Sequence, residues 1–574
     1  MVSAGLQILW AWVLLWLGIK PLIHIFLKKV VYFHATASFV IMPKNRFKKF
    51  SSNVDLSRAD HVIIGSGFGG LTIATLLAKM GKKVIVLERH FKPGGFTHSF
   101  MRKNGFSWSV GVHYIGNVED GGLRQLFDYL TDNKLKWGSL GKVYDVVHIG
   151  DETYEFKAGK ESFRKQMKAY FPADADSIDT YLQLIEKANK RGSAFFFEKT
   201  FKPFLSKSLG WIFKRRYAKY YEKTTLDVLS QITDNKRLIA VLCSQCGNYG
   251  LSPKYSSFAA HAMVIGHFME GGFYPVGGPE KLAKYTMDTL LAHGGNIYVN
   301  ADVQAIVVEK KRVKGIRING GFIACKSIIS NVGAANTFNR LLTDDVRKKY
   351  GPDFQKVKPS SGHLCLYVGL DKSSEELKLP KHNVWSYAIE NLDELLDSIV
   401  LEDAPQKFSY ISFPSANDPE WELKHPGKAT IQALTIGRYE WFAEYEKEPW
   451  MNRKEAYNEL KRNFEKSMLE RLYQLYPQIA GHVIETEVSS PLTTRHFANY
   501  SNGEIYGLAH TPMRFSLPFL RCETHIKGLR LVGQDVTLVG VAGTMLSGLL
   551  GSTTILKFGS WRLFKDMGKR NYSK

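Results

Sequence analysis

Apolar residues fall into distinct patterns along the chain, and each pattern predicts a different kind of element. Residues 1–19 carry no charge and run through Leu6, Trp10, Trp12, Trp16 and Ile19. That is about the length a helix needs to cross a hydrocarbon core, with Trp suited to the interface. A second apolar stretch, Pro21 to Met42, is broken by His24, Lys28, Lys29 and His34. From His61 the pattern shortens to His61-Val62-Ile63-Ile64, a helical spacing from Leu71 to Met80, and Val84-Ile85-Val86-Leu87. These predict a strand, a helix and a second strand. Gly294 to Val303 reads as turn plus strand, Gly528 to Val532 as a strand, and Gly540 to Leu556 as an apolar helix.

Charge sharpens the reading of the N-terminus. No Asp or Glu precedes Asp55, whereas Lys20, Lys28, Lys29, Lys44, Arg46, Lys48 and Lys49 all follow the first apolar run. The positive-inside rule then predicts an N-terminal membrane anchor with a cytoplasmic body. A cleaved signal ending near Ala35-Thr36-Ala37 is the competing reading, but it lacks positive charges ahead of the apolar run. Whether the anchor spans the bilayer stays open. The chain has 574 residues, 44% hydrophobic and 23% charged, which excludes a largely disordered protein and exceeds one core.

The net charge of +23 points to anionic partners. It concentrates in 20–50, in 198–223 (eight basic against two acidic residues) and in 557–574 (six against one). Residues 195–223 alternate aromatic and basic side chains, a pattern suited to an anionic membrane surface or, equally, to a basic helix with a core-facing aromatic stripe. No zinc-finger, helix-turn-helix or RNP pattern supports nucleic acid as the partner. Five cysteines argue against a disulfide framework. Cys243-Ser244-Gln245-Cys246 has CxxC spacing, but it follows an apolar run without a second pair, so both thiols are expected in the core; no metal site is expected.

The strongest chemical signal is Gly65-Ser66-Gly67-Phe68-Gly69-Gly70, set between a strand and a helix inside one βαβ unit. Gly65 permits the tight turn, Gly67 lets a pyrophosphate approach the backbone, and Gly70 allows close packing of helix on strand. Glu88, at the end of the second strand, is placed to accept from ribose hydroxyls. Beyond it come Arg89 and Lys92-Pro93-Gly94-Gly95. In flavoproteins of the glutathione-reductase type a similarly placed Gly-Gly lies along FAD. The region of Val303 resembles the strand that meets the adenine there. Gly533-Gln534-Asp535 is suited to the ribityl or phosphate side, and the following turn with Val541 and Ala542 opens a helix toward the flavin. FAD is the predicted cofactor, with Gly65, Gly67, Phe68, Gly69, Gly70, Glu88, Arg89, Gly94, Gly95, Val303, Gly533, Asp535, Val541 and Ala542 around it. No second strand–GxGxxG–helix unit follows, so NAD(P)H as electron source has no domain of its own and the donor stays open.

In its order of motifs the chain resembles the retinol saturase branch of the phytoene desaturase and carotenoid isomerase flavoproteins, over nearly everything after residue 58. The matching stretches include Gly94-Gly95 through Gly111-Val112-His113-Tyr114-Ile115-Gly116, Tyr274-Pro275-Val276-Gly277-Gly278, Asp418-Pro419-Glu420-Trp421 and Gly533-Gln534-Asp535. One departure stands out. Where relatives often read Phe-Asp before Thr-Gly-x-His, this chain has Trp108-Ser109-Val110-Gly111-Val112-His113, without the carboxylate.

The resemblance implies a lipophilic polyene or isoprenoid substrate and flavin chemistry at a C=C bond, most concretely saturation of all-trans-retinol. It further implies association with the endoplasmic reticulum membrane in a eukaryote or the inner membrane in a bacterium. His113, Tyr114 and Tyr274 are the catalytic candidates, with His98 ambiguous. The expected fold is α/β: a discontinuous Rossmann-type FAD domain (58–150, 271–345 and 500–560) with an inserted α+β substrate or cap domain (151–270 and 346–499). It is flanked by the anchor and basic segment (1–50) and a basic tail (561–574). Carotenoid isomerase or desaturase chemistry, or a non-enzymatic prenyl-lipid carrier of the GDI type, are the alternatives.

Overall fold

The computed structural model describes residues 46–51, 54–102 and 104–568. The expected anchor at 1–19, the stretch up to residue 45 and the last six residues lie outside the described residues.

Two sheets organise the chain. The first has six parallel strands in the order Lys48–Lys49, Asn296–Val299, Val84–Leu87, His61–Ile64, Ile328–Ser330 and Leu529–Leu531. Its inner strands are continuous apolar runs because both faces are covered. One face, through Ile63, Val86, Ile297 and Ile329, packs on side chains of the helices Phe68–Lys79 and Glu280–Ala292. The other, through Val62, Ile64, Ile85 and Leu87, meets the antiparallel strands Val303–Glu309 and Arg312–Ile318. The sixth strand, Lys48–Lys49, was invisible in the sequence because both side chains are exposed and the pairing with Tyr298 and Val299 is purely backbone. Residues 48–49, expected in a juxtamembrane segment, therefore belong to this sheet, and Arg46 is tied to the helix Glu280–Ala292 through Asp288 at 2.6 Å.

The second sheet has seven strands, ordered Val483–Ser489, Gly362–Leu370, Ala429–Gly437, Phe408–Ser412, Asn383–Tyr387, Val143–Ile149 and Glu152–Lys157. All pairings are antiparallel except Asn383–Tyr387 with Val143–Ile149. The strand Val143–Ile149 already belongs here, so the first segment of the dinucleotide unit ends before residue 143 rather than at 150. Alternation sorts its two faces. Leu364, Leu366, Val368, Ile411, Ile431 and Ala433 pack beneath Phe464, Met468 and Leu472 of the helix Glu455–Leu475. The opposite face carries His363, Tyr367, Tyr410, Ser412, Gln432, Trp385, Asn383 and Asp145.

Helices of residues 160–268 complete the fold, Ala175–Glu198 packing against both Pro203–Tyr221 and Phe258–Phe268. Among the described residues one helical stretch, Gly540–Gly568, is long and apolar enough by length and composition to cross a membrane; 44% of the qualifying window is buried in the fold.

Candidate functional site

A cavity of about 2240 Å³ runs from the glycine loop of the first sheet to the polar face of the second. Single-ligand pockets span roughly 300–1,000 Å³, so this space is large enough for a dinucleotide and a second molecule together.

At one end the loop Gly65–Gly70 is compact beyond what a side chain would tolerate. A Cβ on Gly70 would lie 2.2 Å from the Gly65 carbonyl oxygen, and one on Gly95 would lie 2.9 Å from Gly67 Cα. The two glycine loops thus touch, and Gly67 and Gly95 both line the cavity. The helix Phe68–Lys79 starts at Gly67 with no side-chain cap and no acidic residue in its first turn. The helix Gly540–Leu556 starts the same way at Val539. Phe68, Gly69, Gly540, Val541 and Ala542 line the same cavity, so uncapped N–H groups of two helices converge where an anionic dinucleotide fits.

Glu88 closes the βαβ turn. One carboxylate oxygen accepts from the Ser66 N–H at 2.8 Å and from its hydroxyl at 2.5 Å, and the other from the His90 N–H at 2.8 Å. Each oxygen keeps acceptor capacity toward the cavity that Glu88 lines. Arg89 donates to the His496 carbonyl at 2.8 Å, Val303 and Gly533 line the wall, and the Gly533 N–H donates to the Ser547 hydroxyl at 2.9 Å. Asp535 is held by backbone N–H groups. It is not among the lining residues; its oxygens accept from the N–H groups of Ala334 (2.6 Å) and Leu508 (2.9 Å), tying three chain segments together.

At the other end a polar row crosses the second sheet. Asp145 lies opposite Asn383, and Gln432 lies between Ser412 and Tyr367. This row grips the segment Ser109–Gly116. Gln432 donates to the Ser109 carbonyl at 2.7 Å, Ser412 shares a hydrogen bond with His113 Nδ1 at 2.9 Å, and the Tyr114 hydroxyl donates to Asp145 at 2.9 Å. Burial lowers the His113 pKa to about 3, with His363 adding to the effect. Desolvation thus favours the neutral imidazole at His113 near pH 7. Tyr114 stacks on Phe268 with centroids 4.1 Å apart and accepts from Asn248 at 3.0 Å. Burial, then Asp145, raises its pKa.

Known proteins resemble this chain in sequence and in fold. Residues 63–130 match the NAD(P)-binding Rossmann-like domain family. All-trans-retinol 13,14-reductase of Danio rerio is 34% identical over 87% of this chain and 86% of its own length. The chain belongs to the all-trans-retinol 13,14-reductase family. The Homo sapiens protein of that name is 32% identical, over 91% of this chain and 89% of its own. A second Danio rerio member, 28% identical over 89% and 87%, is named an inactive all-trans-retinol 13,14-reductase. Among solved structures, cyclohexylamine oxidase from Brevibacterium oxydans aligns with a TM-score of 0.57 at 14% identity, covering 89% of this chain and all of that one, which shows a shared fold.

In this member of the reductase family a buried carboxylate from a distant strand bonds Tyr114, next to His113. Asp145, absent from the sequence candidates, comes from the strand Val143–Ile149. The one signal for it was a charged residue on the inward phase of an otherwise apolar alternation, Asp145-Val147-Ile149. Tyr274 is buried, its backbone pairs with Gly138, and it is not among the cavity-lining residues; of the three catalytic candidates, His113 and Tyr114 line the cavity. His98 shares a hydrogen bond with the Gly95 carbonyl at 2.6 Å and steadies the second glycine loop.

Cys243 and Cys246 are free and buried, and burial pushes the Cys246 thiol up to about 12. Both should resist a polar thiol reagent in the native protein and react fully once it is denatured, as thiol titration with and without guanidinium will show.

Proposed function

We propose that this chain is an FAD-dependent reductase that saturates a C=C bond of a polyene alcohol, all-trans-retinol at its 13,14 bond being the preferred substrate. The observation that carries the reading is the 34% identity to a reductase of that name, over nearly the whole length of both chains. The continuous cavity supports it. Gly67, Gly69, Glu88, Gly95, Val303, Gly533, Val541 and Ala542 would hold the cofactor, which supplies a hydride equivalent when reduced. The polyene would lie along the second-sheet face, where Trp385, Phe408 and Leu434 exclude water.

Reduced protein incubated with all-trans-retinol should give a product two mass units heavier. Unchanged mass with a new retention time would favour isomerisation, and a loss of two would favour desaturation.

The membrane is the proposed source of substrate. In Pro203–Tyr221 the tyrosines Tyr217, Tyr220 and Tyr221 turn inward, while Phe204 (66% exposed) and Trp211 (55%) face out with Ile212 among Arg215, Arg216 and Lys219. This helix packs on Ala175–Glu198, whose Leu182, Ile185 and Phe196 line the cavity. Each basic residue near an anionic surface contributes on the order of 1 kcal/mol. Replacing Arg215, Arg216 and Lys219 by Gln should therefore weaken partition onto phosphatidylserine vesicles about 100-fold; undiminished flotation of a truncation lacking residues 1–45 and carrying these changes would refute the docking role.

A further inference from the structure

Asp145 is a carboxylate with no exposed surface and no basic side chain bonded to it. Its four partners are neutral donors: Tyr114 Oη at 2.9 Å, Gln245 Nε2 at 2.6 Å and Trp385 Nε1 at 3.0 Å on Oδ2, and Asn383 Nδ2 at 3.1 Å on Oδ1. Other buried carboxylates have simpler accounts. Glu198 is paired with Arg521, and Asp535 is held by backbone N–H groups. A buried acid without a counter-charge is costly to keep ionised, and a protein of this fold gains nothing in packing from it. Of the four partners, Tyr114 and Trp385 line the cavity, and of these only the Tyr114 hydroxyl can both accept a proton from Asp145 and release one.

We propose that Asp145 and Tyr114 form a two-member proton relay that delivers the proton required when a polyene C=C bond is reduced in this cavity, Tyr114 being the group that meets the substrate and Asp145 its positioning and reloading partner. This rests on the reductase reading given above. Reduction of the alkene needs two electrons and two hydrogens. One hydrogen arrives with both electrons as a hydride equivalent, which a reduced flavin supplies; the other arrives as a proton. In the relay the Tyr114 O–H bond breaks as the new C–H bond forms. The Asp145 carboxyl proton passes to the Tyr114 oxygen, and the Asp145 carboxylate is reprotonated from water after turnover.

The contacts suit both halves of this step. Asn248 already donates to the Tyr114 oxygen at 3.0 Å, so a developing phenolate would face two donors once Asp145 is neutral. The ring is held in place by its stack on Phe268, and the segment around it by the polar row. Burial, against four hydrogen bonds that pull the other way, raises the Asp145 pKa to about 6. The titratable groups that face it are the phenols of Tyr114, Tyr144 and Tyr410, all of which stay neutral near pH 7 because burial raises their pKa values further. The loaded relay is the protonated acid, so its population is full below the folded pKa and declines as pH rises through about 6.

The test compares wild type with Y114F and D145N, each reconstituted with flavin and reduced before mixing with all-trans-retinol. Loss of a general acid costs on the order of 10²-fold or more in rate. Y114F and D145N should each lose about that much kcat with KM nearly unchanged, and D145N should lose the fall in rate that wild type shows above about pH 6. Infrared difference spectra should show a protonated carboxyl band in wild type at low pH that titrates away near 6 and is absent from D145N. Wild-type kcat in either variant, or a carboxyl at Asp145 that is ionised throughout that range, would overturn the relay. Should D145N fail to fold, Y114F and the wild-type pH profile decide the same question. A wild type inert toward every polyene alcohol would instead fail the parent reading, while the infrared titration would still decide whether Asp145 stores a proton.

Discussion

Gly67→Val will fold and purify without its dinucleotide. Gly67 has φ −56°, a conformation any residue adopts, and the nearest atom to an added Cβ is the Asn331 side-chain amide at 3.0 Å, which can shift. The fold therefore tolerates the change. The site does not, because Gly67 caps the helix Phe68–Lys79 at the cavity wall and lies against Gly95, leaving no depth for both a valine and a pyrophosphate. A loss of about 3 kcal/mol corresponds to roughly a 100-fold weaker dinucleotide. The visible spectrum of the purified variant should show a clear loss of flavin relative to wild type, and flavin titration a Kd raised by about that factor, with an unchanged far-ultraviolet circular dichroism spectrum. A yellow, fully loaded G67V protein would contradict the placement of the phosphates.

Among the described glycines, Gly116→Ala should add the most damaging methyl. An added Cβ would sit 1.8 Å from the His267 carbonyl oxygen and 2.6 Å from its carbon, so two backbones must part. The close approach is reinforced by the Gly116 N–H, which donates to His267 Nε2 at 2.9 Å. Overpacking ordinarily costs about 1–3 kcal/mol, and a backbone-on-backbone clash belongs at the upper end or beyond. Because Gly116 ends the segment that carries His113 and Tyr114, the same shift should cost on the order of 10²-fold in turnover even where the variant folds. Gly321→Ala is the control: its nearest neighbour is the Ile318 carbonyl oxygen at 3.7 Å, and it should move stability by less than about 0.5 kcal/mol. Denaturant melts of both variants check the pair.

The part of the protein legible from sequence is the part built by local rules. The turn at Gly65, the helix behind it and Glu88 lie within one continuous βαβ unit, and strand–turn–helix chemistry is written in adjacent residues. The flanking strands were equally plain, because burial on both faces leaves uninterrupted Val and Ile. What escaped was assembled by long-range pairing. Asp145 meets Asn383 and Trp385 across a parallel pairing 238 residues apart in the chain, so nothing near Asp145 announces the row it joins. Lys48–Lys49 forms a strand through backbone alone. Tyr274, a catalytic candidate by resemblance, is not among the cavity-lining residues, because position in a motif does not say where a ring points. The basic aromatic helix shows a third case: composition allowed both a core stripe and an outward aromatic face, and helical periodicity gives both, with tyrosines inward and Phe204 and Trp211 outward.

Anaerobic mixing of the fully reduced protein with all-trans-retinol, followed at the flavin absorbance band, tests the central claim most directly. Reduction of the polyene by this site predicts that the flavin reoxidises with one equivalent of retinol consumed per flavin and dihydroretinol as the product. A flavin that stays reduced while the retinol is recovered unchanged would contradict it.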